Sequence, residues 1–283
     1  MARNSKAFND SEIKEILIKD IIEDYTKNNM SLRAMEKKYR IQRKKLSEKL
    51  EELGIKKTKG NHYRYYFHNF DYFEVIDSHD KAYFLGLMMA DGYIVDNSNT
   101  YGQDDFGISL SIDDIDIIKS FKKHIEATNE IKIYSNHGGF SKGSKYCRII
   151  MKSQKTADDL MDKGVTKQKT LTKEFPNKGK VPEEYIYSYL RGYMDGNGSI
   201  IMRNTKTKGL QGELSFTTSE KFALGLEKFG KCNVFKDKRA NAWCVRFNNE
   251  YSKEILDKIY EHSTTETRLK RKYDKYLKIK NDE

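Results

Sequence analysis

The sequence predicts an α+β fold: two pseudo-symmetric αββαββα units whose sheets form a β-saddle, preceded by a small helical domain of helix-turn-helix type. Three observations predict it. Segments 82–94 and 187–200 match, so that Asp91 and Asn197 stand 106 positions apart, and an internal repeat has to be settled before any motif is read. Each copy then alternates helical and strand periodicity in the same order. Ahead of both lies a short helical stretch dense in Lys and Arg. At 283 residues the chain holds one large domain or two to three small ones. The expected bounds are 1–60, 61–170 and 171–283.

Composition narrows the function classes. The longest apolar run, residues 82–90, is far short of a bilayer span, and no leader-like segment is expected at the N-terminus. Cys147, Cys232 and Cys244 are odd in number without a CxxC pair, which argues against a zinc knuckle or a disulfide framework. The net charge is +11, and it is unevenly placed. Residues 33–64 carry twelve Lys and Arg against four acids. Arg268, Lys270, Arg271 and Lys272 form a second basic cluster. Such fields attract nucleic acid, because each neutralised phosphate releases a counterion. A solvated helix face is the other reading of charge alone.

Residues 17–28 place Ile18, Ile21, Ile22 and Tyr25 on one helical face. Ser31 is a good N-cap for a short helix over 32–39, with Leu32, Met35 and Tyr39 inward. Ile41 fills a tight turn. Residues 42–53 form a third helix with Leu46, Leu50 and Leu53 inward, stopped by Gly54. Two short helices about a brief turn resemble a helix-turn-helix, with a plain three-helix bundle as the alternative. In the first reading Gln42, Arg43, Lys44, Lys45 and Ser47 face a major groove. Lys56, Lys57 and Lys59 then belong to a basic linker along the phosphates.

In the first copy helices are expected over 83–91, 115–127 and 156–163. Strands are expected over 93–96, 106–112, 130–134 and 145–152. The second copy repeats this with helices over 183–195, 222–229 and 253–262. Its strands are 199–203, 213–218, 232–236 and 243–248. Residues 106–114 parallel 213–221, and 145–153 parallel 242–250 with Cys147 and Cys244 in register. Residues 167–175 parallel 269–277 more loosely. Pro176, Gly179 and Pro182 mark the linker around 171–181, and a basic tail closes the chain.

The first helix of each copy carries small residues four apart, Gly86 with Ala90 and Gly192 with Gly196, on one face. Small side chains there let two backbones touch. Each helix ends in a polar residue followed by glycine, Asp91-Gly92 and Asn197-Gly198. Packed side by side, the helices bring Asp91 and Asn197 together. A carboxylate and a carboxamide on a basic groove floor are hard oxygen ligands suited to Mg²⁺ and to metal-assisted phosphodiester hydrolysis. The competing reading is an ordinary glycine C-cap, which the duplication disfavours.

FLGLMMADG (84–92) and LRGYMDGNG (190–198) resemble the two motif copies of the LAGLIDADG homing endonucleases, over about residues 70–280. The resemblance implies a monomer that mimics a dimer, a ββ saddle on double-stranded DNA, and Mg²⁺-dependent cleavage of both strands, with Mn²⁺ able to substitute. It implies Asp91 and Asn197 as catalytic metal ligands, with Ala90 and Gly196 beside them at the metal. Asn197 departs from the usual acid, and Asp195 is read as structural. Lys169, with Arg271 or Lys272 as its second-copy counterpart, is implied as the basic group beside the site, ordinary phosphate contact being the alternative. Arg148 and Arg203 are expected to reach guanine, and Gln211 or Gln103 adenine. A cytoplasmic, nucleoid-associated protein of a bacterial or phage-infected cell is expected. Because of Asn197, three outcomes stay open: a weak or strand-nicking enzyme, a silent DNA-binding regulator, or an exchange introduced at 197 to trap a complex. An intron maturase is a further alternative on the same fold.

Overall fold

The computed structural model describes residues 15–26, 30–55, 66–97, 102–137, 143–167, 172–205, 209–238 and 242–281. The chain divides into two compact units, Met1–Phe67 and His68–Glu283. In the first, α1 (Glu15–Thr26), α2 (Leu32–Tyr39) and α3 (Arg43–Glu52) enclose a small core of Ile21, Met35, Ile41, Leu46 and Leu50. Ser31 caps α2, its hydroxyl accepting from the Ala34 amide at 3.0 Å. Arg40 ends that helix in the left-handed region, φ 56°. Buried Asp24 accepts from the Lys38 ammonium and the Tyr39 hydroxyl, tying α2 to α1.

The second unit contains the duplication. Its first half runs α4 (His79–Asp91), β1 (Gly92–Val95), β2 (Asp105–Ser111), α5 (Ile115–His124), β3 (Lys132–Ser135), β4 (Lys145–Lys152) and α6 (Gln154–Asp162). The second half runs α7 (Ile186–Asn197), β5 (Gly198–Thr205), β6 (Gly209–Thr218), α8 (Glu220–Leu226), β7 (Cys232–Asp237), β8 (Ala242–Phe247) and α9 (Asn249–Glu261). A further helix, α10 (Lys270–Lys280), follows. The two antiparallel sheets have the same order, β1-β2-β4-β3 and β5-β6-β8-β7. Serines 78, 153 and 219 cap α4, α6 and α8.

Strand periodicity fixes which face each residue takes. Phe106, Ile108 and Leu110 on β2 and Cys147, Ile149 and Met151 on β4 are buried, as are Leu214 and Phe216, Val245 and Phe247 in the other sheet. Their neighbours face away from the core. α4 is buried around its whole circumference from Ala82 to Ala90, which is the pattern of a helix covered on every side.

Two sequence expectations need correction. Gly92 pairs with Ile108 and Ile108 with Ile149, while Gly198 pairs with Phe216 and Phe216 with Val245. Ile149 therefore corresponds to Val245, and Cys147 to Trp243 rather than to Cys244. The shared cysteine misled the alignment by one residue, and one residue on a strand means the opposite face. The pairing of segment 106–114 with 213–221 slips likewise, since Phe106 corresponds to Leu214. Second, the supposed basic tail is helix α10, in which Lys272, Tyr276 and Ile279 are buried.

Candidate functional site

α4 and α7 cross with main chain against main chain. A Cβ built on Gly86 would lie 2.0 Å from the Tyr189 carbonyl oxygen, and one on Gly192 would lie 1.9 Å from that of Tyr83. No side chain larger than hydrogen fits either place. One turn further on, a Cβ at Gly196 would meet Ala90 Cβ at 2.3 Å and Asp91 Oδ2 at 2.6 Å. The Asp91 carboxylate thus rests against the α7 backbone at the residue before Asn197. Both residues are half-buried, and the ends of α4 and α7 meet at Asp91 and Gly196.

The glycines after them are not left-handed caps. Gly92 (φ −68°, ψ 166°) and Gly198 (φ −109°, ψ 167°) are extended, so each helix turns straight into its strand. Glycine is required there for space instead: a Cβ would sit 2.6 Å from the Met88 carbonyl oxygen at Gly92 and 2.9 Å from that of Met194 at Gly198. The glycines still close their helices, their amides donating to the Met88 and Met194 carbonyls, but not as left-handed caps.

Around the end of α7 lies a buried polar frame. Arg191 is fully buried and donates to the carbonyls of Ile259 (2.6 Å) and Thr267 (2.8 Å), fixing the turn before α10. Asp195 accepts from the Tyr83 hydroxyl and the Leu269 amide, each at 2.9 Å. Burial pushes its carboxyl up to about 6 against the opposing pull of Lys272. Asp195 is structural, as expected.

Lys272 departs from the reading as a DNA contact. It is 4% exposed and donates to the carbonyls of Met194, Asp195 and Gly198 at 2.5–2.8 Å. The Met194 and Asp195 carbonyls lie in the last turn of α7, where an ammonium also suits the helix dipole. Burial lowers its pKa to about 8. Arg271 makes a two-point contact with Asp114, Nε to Oδ1 at 3.0 Å and Nη2 to Oδ2 at 2.9 Å, and its side chain stays half exposed. Lys169, Lys56, Lys57 and Lys59 lie outside the described residues.

Lys173 carries no signal in the sequence. It is 6% exposed, its ammonium stands 5.4 Å from the centre of the Tyr193 ring, and burial lowers its pKa to about 8, with Asp91 opposing. Asn197 Nδ2 reaches the Tyr193 hydroxyl at 3.5 Å, and that hydroxyl donates to Thr218 Oγ1 at 2.7 Å. A lysine in a proline-flanked linker looks like a solvated charge. Only the fold turns it inward.

The donor set suits a hard cation completed by a substrate. Among the described residues no group of three or more His, Cys, Asp or Glu side chains could hold a metal. Asp91, the Asn197 amide and the Ala90 and Gly196 carbonyls are all oxygen donors. Mg²⁺ is commonly held by one or two carboxylates plus substrate phosphates.

Of the other expected contacts, Arg203 and Gln211 pair on the outward face of the second sheet, and Arg203 meets Glu213 at 3.4 Å. Arg148 lies on the outward face of the first sheet, opposite Ser109. In the small helical unit Gln42, Arg43 and Lys44 are exposed and Lys45 and Ser47 half-buried, with Arg43 held to Glu36 at 2.9 Å.

No family model matches the chain, and no curated protein does. Solved structures do. The homing endonuclease I-WcaI bound to its DNA recognition sequence is 15% identical, with 73% of this chain and 91% of that one covered at a TM-score of 0.52. The chain has the LAGLIDADG homing-endonuclease fold. I-GzeII, a LAGLIDADG homing endonuclease in complex with its DNA target, is 15% identical over 71% of this chain and 97% of that one, TM-score 0.38. I-LtrWI, another, bound to target DNA, is 12% identical over 76% and 98%, TM-score 0.42. α4 and α7 occupy the place of the paired LAGLIDADG helices, and β1–β4 and β5–β8 are the two saddle sheets.

Proposed function

We propose that this chain is a site-specific, homing-type DNA endonuclease that hydrolyses phosphodiesters of a long duplex site with a divalent metal, Mg²⁺ for preference. The observation that carries the reading is the Asp91 carboxylate resting on the α7 backbone beside Asn197, at the foot of two sheets in a chain of net charge +11. The motif copies and the fold shared with a DNA-bound endonuclease support it. A bound metal would stabilise charge on the phosphate and lower the pKa of a water. Asp91 is the principal ligand, and the Ala90 and Gly196 carbonyls and the Asn197 amide complete the set. Asn197 brings no charge and cannot act as a base, so the two strands are cut unequally. Lys169 is the proposed basic group beside the first phosphate. Gln42, Arg43, Lys44, Lys45 and Ser47 give the helical unit a second grip on the duplex, in helix-turn-helix fashion.

The test is cleavage of a duplex selected by the protein, each strand separately labelled, in Mg²⁺. The parent nicks one strand faster, Asn197→Asp raises cutting of the slower strand at least tenfold, and Asp91→Ala abolishes cutting of the faster one. Undiminished cleavage by Asp91→Ala removes the catalytic assignment. Asn197 also favours a second reading, a DNA-binding regulator without chemistry. Tight binding with neither strand cut, by parent and by Asn197→Asp alike, selects it.

A further inference from the structure

The outward face of the first sheet holds a feature absent from the described residues of the second. The Arg148 guanidinium carbon lies 5.5 Å from the Tyr93 ring centre and 5.4 Å from those of Tyr134 and Tyr146. Tyr134 and Tyr146 face each other across β3 and β4, their rings stacked at 5.3 Å. Tyr93 lies across Gly107, where a Cβ would come within 2.8 Å of its hydroxyl. Glycine on β2 therefore makes the bed for the third ring. Three π faces on one guanidinium hold it by cation–π attraction and use none of its N–H groups. Among the described residues Arg148 Nε and the Tyr93 hydroxyl have no hydrogen-bond partner.

The pairing registers give the equivalent positions in the second sheet. Arg148 corresponds to Cys244, and Tyr93, Tyr134 and Tyr146 to Ser199, Asp237 and Ala242. The whole cage is missing there. The outward arginine of β8 is instead Arg246, which corresponds to Ile150, two residues along the strand. It sits 5.0 Å from the Phe235 ring centre and 3.6 Å from Glu213, so part of its charge is already answered.

We infer that Arg148, immobilised by its three tyrosines, reads a guanine in the half of the target that faces the first sheet, and that the dyad-related base pair carries no such requirement. The inference rests on the endonuclease reading and adds to the expected guanine contact its clamp of tyrosines and its asymmetry. A guanidinium fork needs two adjacent acceptors, and in the major groove guanine offers them at N7 and O6. Adenine puts a donor at one of those places. An arginine already ordered loses little rotamer freedom on binding. Two residues along a strand span about 6.8 Å, near two base-pair steps of about 3.4 Å. Arg246 therefore addresses a different distance from the site's midpoint.

The experiment enriches duplexes from a randomised library with the intact chain in Ca²⁺ and sequences the bound pool, for the parent, Arg148→Gln and Arg148→Lys. The expected parent site has one guanine favoured about tenfold or more, with no complementary preference at its mirror position. Arg148→Gln loses that preference, shifts it toward adenine and keeps the rest of the site. Arg148→Lys retains part of it. A site unchanged in Arg148→Gln, or affinity that falls equally for every sequence as for a phosphate contact, overturns the inference and leaves the endonuclease reading standing. A guanine mirrored in both halves overturns the asymmetry. If the parent enriches no duplex, the endonuclease reading fails, and this one with it.

Discussion

Replacing Gly192 by alanine tests the geometry on which the site depends. Two effects compete. Alanine in a helix interior is intrinsically better than glycine by about 1 kcal/mol. Against it, the new Cβ would sit 1.9 Å from the Tyr83 carbonyl oxygen and 2.7 Å from the Leu87 amide nitrogen. Ordinary contact begins near 3.4 Å, so the helices must separate by about 1.5 Å. The obstructing atoms are backbone in the middle of a buried helix and have no rotamer to change. Overpacking of this kind costs up to about 3 kcal/mol, which leaves a net loss of about 2 kcal/mol. For a domain of this size that is a fall in melting temperature of about 4–8 °C. The same separation moves Asp91 away from Asn197, and a misplacement of about 1 Å at a reacting centre costs on the order of 100-fold in rate. The assays are thermal unfolding of the full chain and strand-resolved cleavage of a selected duplex. Gly179→Ala, in the linker with only Asn177 Oδ1 nearby at 3.3 Å, serves as the control and should melt within about 0.5 kcal/mol of the parent. If Gly192→Ala melts at or above the parent temperature, the backbone contact is not what holds the helices at this spacing.

Three further expectations follow from the buried frame and the C-terminal helix. Arg191→Met keeps most of the side chain's volume but leaves the Ile259 and Thr267 carbonyls unanswered, and should cost about 1–3 kcal/mol for each, read as a lowered denaturation midpoint. Lys272→Met should lower that midpoint too and disorder the Met194–Gly198 corner, visible as faster amide exchange at the end of α7. Asp257 links α9 to α10 through the Tyr276 hydroxyl (2.6 Å) and the Lys280 ammonium (2.9 Å). Burial raises its pKa, but those two donors outweigh it and hold the carboxyl below its usual value. A depressed folded-state pKa gives stability that is present above the unfolded value near 4 and is lost as pH falls through the folded one. Asp257→Asn should flatten the acid limb of the stability profile, and an unchanged limb would contradict the assignment.

The repeated helix–strand order and the small-residue spacing at 86, 192 and 196 were legible in the sequence because they are local patterns with a strong physical reason. So was Ser31 as a cap. The register of the repeat was not. Cys147 and Cys244 look alike, yet one faces the core and the other lies on the opposite face, and only cross-strand pairing distinguishes them. Lys272 and Lys173 are not legible as buried groups, because a lysine's hydropathy says solvent. Their burial depends on carbonyls and rings brought in from elsewhere in the chain. Arg148 reads as a base contact from the sequence, but its tyrosines come from three strands, and no local pattern joins them.

A seam in which main chain meets main chain is indifferent to most of the sequence on either side. Gly86 and Gly192 set the distance, and few side chains need to match across it at that point. Halves drawn from different chains should therefore be exchangeable wherever both keep those hydrogens in place and the polar contacts across the halves, Tyr83 to Asp195 and Arg271 to Asp114, with the sheets, and whatever they recognise, travelling along as separate cargo.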